Sequence, residues 1–109
     1  EAWKTMPHER QRLIDLIDQS SSDSVLFISG DRHRGGLYQL TSASGKNIVE
    51  MTSSSLNLSF TNDEEAGPLR VGPTFVQENY GEILLDKLSN ELTVNLTDNQ
   101  GRIIQSVDI

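Results

Sequence analysis

Val25-Leu26-Phe27-Ile28-Ser29-Gly30-Asp31-Arg32-His33 decides how the chain is read. Four consecutive apolar residues rich in β-formers describe a strand covered on both faces, which fits a central parallel strand. The stretch that follows, Ser29 to Gly36, is the most polar and glycine-rich turn of the chain. In open α/β sheets ligands gather beyond the carboxyl ends of the strands, so chemistry is expected in this turn.

Upstream, the spacing predicts an amphipathic helix over residues 7–19. Pro7 suits the first turn, Glu9 suits the positive end of the helix dipole, and Leu13, Ile14, Leu16 and Ile17 recur at three- and four-residue spacing. Gln19 to Ser24 contains no apolar residue and reads as the loop that ends the helix. Downstream the pattern changes to short alternating segments at 36–40, 47–51, 56–60, 81–88, 91–98 and 102–107. The last three read as an antiparallel meander turning at Ser89-Asn90 and at Asp98-Asn99-Gln100-Gly101. Thr61 to Pro73, with Asn62-Asp63-Glu64-Glu65-Ala66-Gly67-Pro68, reads as an exposed loop. Trp3 and Met6 are expected to pack as core contacts of the helix.

The length of 109 residues suits one domain. Nine basic against sixteen acidic residues give a net charge of -7, a field that repels nucleic acid and anionic lipid. The excess lies after residue 34, where four basic groups face ten acidic ones. No cysteine is present, which excludes disulfides, thiolate metal sites and thiol catalysis, and no apolar run reaches the ~20 residues of a spanning helix. The chain opens on Glu1 without the order of a signal peptide, and is expected to be processed or cut from something longer.

Asp31 and His33, two residues apart on a tight loop, can face one point, and carboxylate with imidazole is a usual ligand mix for Mn, Fe or Zn. Gly30 is expected to make the sharp turn. Arg32, Arg34 and the backbone N–H groups of Gly35 and Gly36 offer positive potential to a phosphate. The plainer alternative is a loop Asp capping a turn beside an exposed His. His8 reads as a solvated helix-start residue. Ser53, Ser54 and Ser55 lie beside no plausible base, and Asp63-Glu64-Glu65 lacks the spacing of a calcium loop. Asn57-Leu58-Ser59 and Asn95-Leu96-Thr97 fit the glycosylation sequon, both in expected strands.

Three stretches carry a resemblance. Trp3 with Pro7-His8-Glu9-Arg10, followed by the strand and Ser29-Gly30-Asp31-Arg32-His33, resembles the C-terminal part of the alkaline phosphatase D (PhoD-like) family of calcineurin-like metallophosphoesterases. Met51-Thr52-Ser53-Ser54-Ser55-Leu56 resembles the family's Thr-Ser-Ser segment, and Glu78-Asn79-Tyr80-Gly81 with the following Glu82 to Asp86 its late Asn-aromatic-Gly strand. The order matches over roughly residues 3–88. The resemblance implies that His33 is a metal ligand and that Asp31 stands where the superfamily's motif has its first histidine. It implies a two-metal site, of Fe, Mn, Zn or Ca, acting on a small-molecule phosphate mono- or diester, and a periplasmic or secreted location. The superfamily's other ligand motifs do not occur in this chain, and Asp31, His33 and Asn57 are too few for such a site.

The resulting expectation is a single C-terminal fragment, residues 1–109, of a PhoD-like metallophosphatase domain, inactive without the remainder of the parent chain. Its fold is expected to be α+β or α/β: one helix on a mostly antiparallel sheet beginning with strand 25–28, forming the C-terminal half of a four-layer αββα sandwich. Such a half leaves a sheet face bare, so either exposed apolar surface or a homo-oligomer through that face is expected. The alternative is a non-catalytic β-rich accessory module whose acidic surface contacts a protein or carbohydrate.

Overall fold

The computed structural model describes residues 3–60 and 67–109. A short 3-10 turn at Trp3–Thr5 leads into helix α1, Pro7–Gln19. Seven strands follow: β1 Ser24–Ser29, β2 Gly35–Thr41, β3 Asn47–Ser53, β4 Arg70–Phe75, β5 Asn79–Asp86, β6 Glu91–Asp98 and β7 Ile103–Asp108. They form two sheets, one of order β1-β3-β2-β4 and one of order β5-β6-β7. The expected single sheet is thereby overturned. The chain is mostly β with one short helix, and the αββα sandwich is not shown.

Helix α1 occupies the expected residues. Pro7 begins it, Glu9 lies in its first turn, and the Ser20 hydroxyl closes it by donating to the Ile17 carbonyl at 2.7 Å. Strand β1 departs from expectation: its only partner among the described residues is the parallel strand β3, so it is an edge strand rather than a central one. Its run of apolar residues reflects the helix on one side and the inter-sheet core on the other. Ile28 nevertheless remains 66% exposed, because the three-stranded sheet stops short of β1.

Alternation along β2 and β3 explains the layering. Leu37, Val49 and Met51 point to the three-stranded sheet and meet Val94, Leu96 and Val107, with Leu26, Val71, Phe75, Leu92 and Ile109 packed around them. Tyr38, Leu40 and Ile48 point the other way, toward Leu13, Ile14 and Ile17 of α1, around a cavity of about 190 Å³. The expected bare sheet face is therefore covered. Trp3 and Met6 do not enter the core; they are 44% and 50% exposed, and Trp3 lines only the rim of that cavity.

Gln105 ties the layers together. Its side-chain carbonyl accepts the Leu37 N–H at 3.2 Å, while its amide donates to the Pro73 carbonyl. The meander appears as expected, with β6 paired antiparallel to β5 and β7. Asn90 and Gly101, in its two turns, take positive φ of 60° and 79°.

Two segments were misread. Residues 56–60 form no strand beyond the single bridge of Ser55 to Asn79, and Leu56, Leu58 and Phe60 are all at least half exposed. Their alternation serves a loop, not a buried face. Conversely, the presumed loop ending at Pro73 contains β4. Proline and a left-handed Gly72 are tolerated there because β4 is an edge strand paired through a bulge. Residues 61–66, including Asp63-Glu64-Glu65, lie outside the described residues.

The second meander turn carries a test. Asp98 is buried, and its carboxylate accepts the backbone N–H groups of Arg102 and Gln100, each at 2.9 Å, and the Arg102 Nε at 2.7 Å. These bonds, the Arg102 N–H foremost, hold its pKa below the ordinary 3.8. Asp86 is lowered by the N–H groups of Leu88 and Ser89, and Asp18 by the hydroxyls of Ser42 and Ser44. Depressed carboxylates stabilise the fold above their unfolded pKa, and the contribution is lost as pH falls through the folded value. Thermal midpoints should therefore be flat from about pH 7 to pH 5 and fall steeply below about pH 4. In Asp98→Asn the drop on acidification should be shallower, and an acid limb identical to that of the unaltered chain would refute the assignment.

Candidate functional site

The loop between β1 and β2 is built differently from its sequence reading. Gly30 does not make the turn. Asp31 and His33 do, with φ of 65° and 52°, a left-handed backbone that costs a non-glycine residue roughly 1–2 kcal/mol each. Strain of this kind persists only where surroundings enforce it, and it concentrates at functional sites.

The enforcing contacts come from residues 53–60. The Ser54 hydroxyl accepts the Arg32 N–H at 3.0 Å and donates to the Arg34 carbonyl at 3.2 Å, clamping the loop from both sides of His33. The Phe60 N–H donates to the His33 carbonyl at 3.0 Å, and the Phe60 ring stacks on the imidazole with centroids 4.3 Å apart and planes at 18°. His33 Nδ1 lies 3.0 Å from the Leu58 carbonyl. A carbonyl can only accept, so Nδ1 carries the hydrogen in this contact, which leaves Nε2 as the ring nitrogen outside it. Carbonyl-oriented histidines of this kind are what metal ligation requires.

A second layer joins the loop to the other sheet. The Asn79 N–H donates to the Ser55 carbonyl at 2.8 Å, and the buried Asn79 side chain accepts the Ser53 hydroxyl at 3.1 Å and donates to the Gln77 carbonyl at 2.6 Å. Ser55, fully buried, bonds the Leu58 carbonyl and the Ser59 hydroxyl. The three serines thus act as connectors, consistent with their lack of a base. Gly81 is forced by the Met51 side chain, which occupies the space a Cβ would need.

Both arginines of the loop have partners among the described residues. Arg32 Nη1 donates to the Tyr38 hydroxyl at 3.3 Å, on the face covered by α1, and Arg34 Nε reaches the Arg32 carbonyl at 3.4 Å. Arg70 adds its guanidinium 5.8 Å from the Tyr38 ring centroid. Asp31 is exposed at the tip of the loop. Beside the loop lies an open cleft of about 520 Å³ between Ile28 and Tyr80, floored by Ser53, Ser54 and Asn79 and flanked by Asn57. None of Asp31, Arg32, His33 and Arg34 lines it.

Among the described residues no three His, Asp or Glu side chains gather to hold a metal ion. His33 fits one ligand position, with Asp31 two residues away, but the described residues do not complete a two-metal set. Of the two sequons, Asn57 is exposed in a loop while Asn95 is buried in β6. Sequence reasoning missed Ser54, Leu58, Phe60 and Asn79 as the residues that hold this loop; Ser54 and Asn79 fall in stretches that carry the resemblance, while Leu58 and Phe60 gave no signal beyond an alternation that read as a strand. Comparison with known protein families, curated proteins and solved structures finds no match. No helix among the described residues is long and apolar enough to cross a membrane.

Proposed function

We propose that this chain is the C-terminal portion of a PhoD-like metal-dependent phosphoesterase and contributes His33, with Asp31 beside it, to a site completed by the remainder of the parent chain. One observation carries the reading. Within the stretches that resemble that family, residues 29–33, 51–56 and 78–81 lie far apart in sequence yet meet at one end of the molecule, where Ser54 and Asn79 link them. An imidazole anchored through Nδ1 and one ring face sits at that junction.

His33, with Asp31 beside it, would hold part of a divalent-metal site, whose ions would supply positive charge toward a phosphate ester and acidify a bound water. The residues of this chain do the positioning. Leu58 fixes the tautomer of His33, Phe60 fixes its plane, and Ser54 holds the strained loop that carries both.

The test is hydrolysis of a nitrophenyl phosphate monoester and diester by the full-length protein, before and after a chelator and after restoring Mn, Fe, Zn or Ca. Turnover that vanishes with the chelator and returns with an ion is expected; turnover indifferent to the chelator sinks the reading. A second reading, a non-catalytic β-rich interaction module, is favoured by the closed core between two sheets. It predicts that the full-length protein shows no phosphoesterase activity attributable to His33.

A further inference from the structure

We propose that the cavity between α1 and the four-stranded sheet binds a free α-amino acid with an apolar side chain, Arg10 taking its carboxylate and Glu50 its ammonium. This goes beyond the phosphoesterase reading and does not rest on it; neither Asp31 nor His33 lines the cavity.

Strand register builds the floor. Phe27 of β1 and Tyr38 of β2 both stand opposite Glu50 of β3, so the carboxylate emerges between two aromatic side chains on the face that α1 covers. Its Oε1 accepts the Ser29 hydroxyl at 2.8 Å and lies 3.5 Å from the Thr52 hydroxyl. Both contacts go to that one oxygen. Oε2 has no hydrogen-bond partner among the described residues, and no described cation pairs with the group.

Arg10 enters from the opposite wall. It lies near the start of α1, half-buried like Glu50, and its guanidinium has no ion pair or hydrogen bond among the described residues. The acid beside it in sequence, Glu9, is held by Arg12 instead. A guanidinium and a carboxylate thus border one cavity from two elements without joining each other. Partly buried charges without partners are costly, and a ligand that brings both complementary charges offsets that cost.

The remaining walls are apolar. Leu13 and Ile14 of α1 face Leu40 and Ile48 of the sheet, with Trp3 at the rim. A volume of about 190 Å³ falls below the roughly 300 Å³ at which drug-sized sites begin, which suits one amino acid and excludes a nucleotide. An apolar amine or a short fatty acid would answer one charge and leave the other unpaired. A zwitterion with an aliphatic side chain answers both charges and fills the apolar wall.

Isothermal titration calorimetry on the full-length protein should show saturable binding of L-leucine with a Kd of about 1 mM or tighter. Isoamylamine lacks the carboxylate, isocaproate lacks the ammonium and glycine lacks the apolar group, so each should bind at least about tenfold more weakly. Glu50→Gln keeps an acceptor for Ser29, and Arg10→Gln keeps a helix former in α1. Each variant should weaken leucine binding at least about tenfold while melting, without leucine, close to the unaltered protein. Saturating leucine should raise the melting temperature of the unaltered protein and leave that of the variants in place. The proposal is overturned if leucine does not bind, as when the remainder of the parent chain fills the cavity, or if both variants bind it as the unaltered protein does. Isoamylamine or isocaproate binding as tightly as leucine would overturn it equally.

Discussion

His33→Ala in the full-length protein is expected to lower phosphate-ester turnover by at least about a hundredfold, with a matching loss of bound metal. The expectation rests on the orientation of the ring. Nδ1 is committed to the Leu58 carbonyl and one face to Phe60, which leaves Nε2 as the only nitrogen free to ligate. Removing the ring also deletes a hydrogen bond and a stacking contact, together about 1–2 kcal/mol, so the melting temperature must be measured beside the rate. Phe60→Leu provides the control. It keeps Nε2 and loosens only the plane of the imidazole, so turnover should fall far less than in His33→Ala. If His33→Ala retains the unaltered rate and metal content, this chain does not supply the ligand proposed for it.

Gly35→Ala should clearly destabilise the fold. A Cβ at position 35 would lie 2.7 Å from Leu96 Cδ1 and 2.8 Å from Asn79 Oδ1, both buried and the second already hydrogen-bonded. Overpacking of this kind costs about 1–3 kcal/mol, and displacing Asn79 adds the cost of leaving the Ser53 hydroxyl unsatisfied. Urea denaturation should therefore show a midpoint lowered by several tenths of a molar or more, given a slope of roughly 1–3 kcal/mol per molar. Gly30→Ala is the matched comparison in the same loop. Its Cβ would make only ordinary contacts, with Ser54 Cβ at 3.7 Å and the Ser53 carbonyl at 3.9 Å, and its backbone is not left-handed. Equal midpoints for the two variants would show that the sheets separate at that end without cost.

The helix and the meander were legible because their signals are local. Pro7, Glu9 and the spacing of Leu13 to Ile17 act within one helix, and the alternation in Leu92, Val94 and Leu96 with Gly101 at the turn acts within one hairpin. The division into two sheets was not legible. Nothing in the alternation of β2 or β6 says whether the apolar face meets a helix or another sheet, and a four-residue apolar run fits a central strand as well as an edge strand between helix and core. At the site, the turn was located correctly and its geometry was not. Gly30 drew attention as the flexible residue, whereas the strain falls on Asp31 and His33 and is held by Ser54, 20 or more residues away. The bond from Arg32 to the Tyr38 hydroxyl was not legible either, since it depends on a strand register the sequence does not disclose.

The order in which the core residues leave the ribosome follows from the two-sheet closure. Leu37 and Met51 emerge early, but the surface that shields them is β6 with Val107 and Ile109, and Ile109 is fastened by two backbone bonds to Leu92. Until β6 and β7 are delivered, the β1–β3–β2 unit presents one bare apolar side. Closure of the core is therefore expected to await β7, and the nascent form that precedes it is the one most in need of a chaperone.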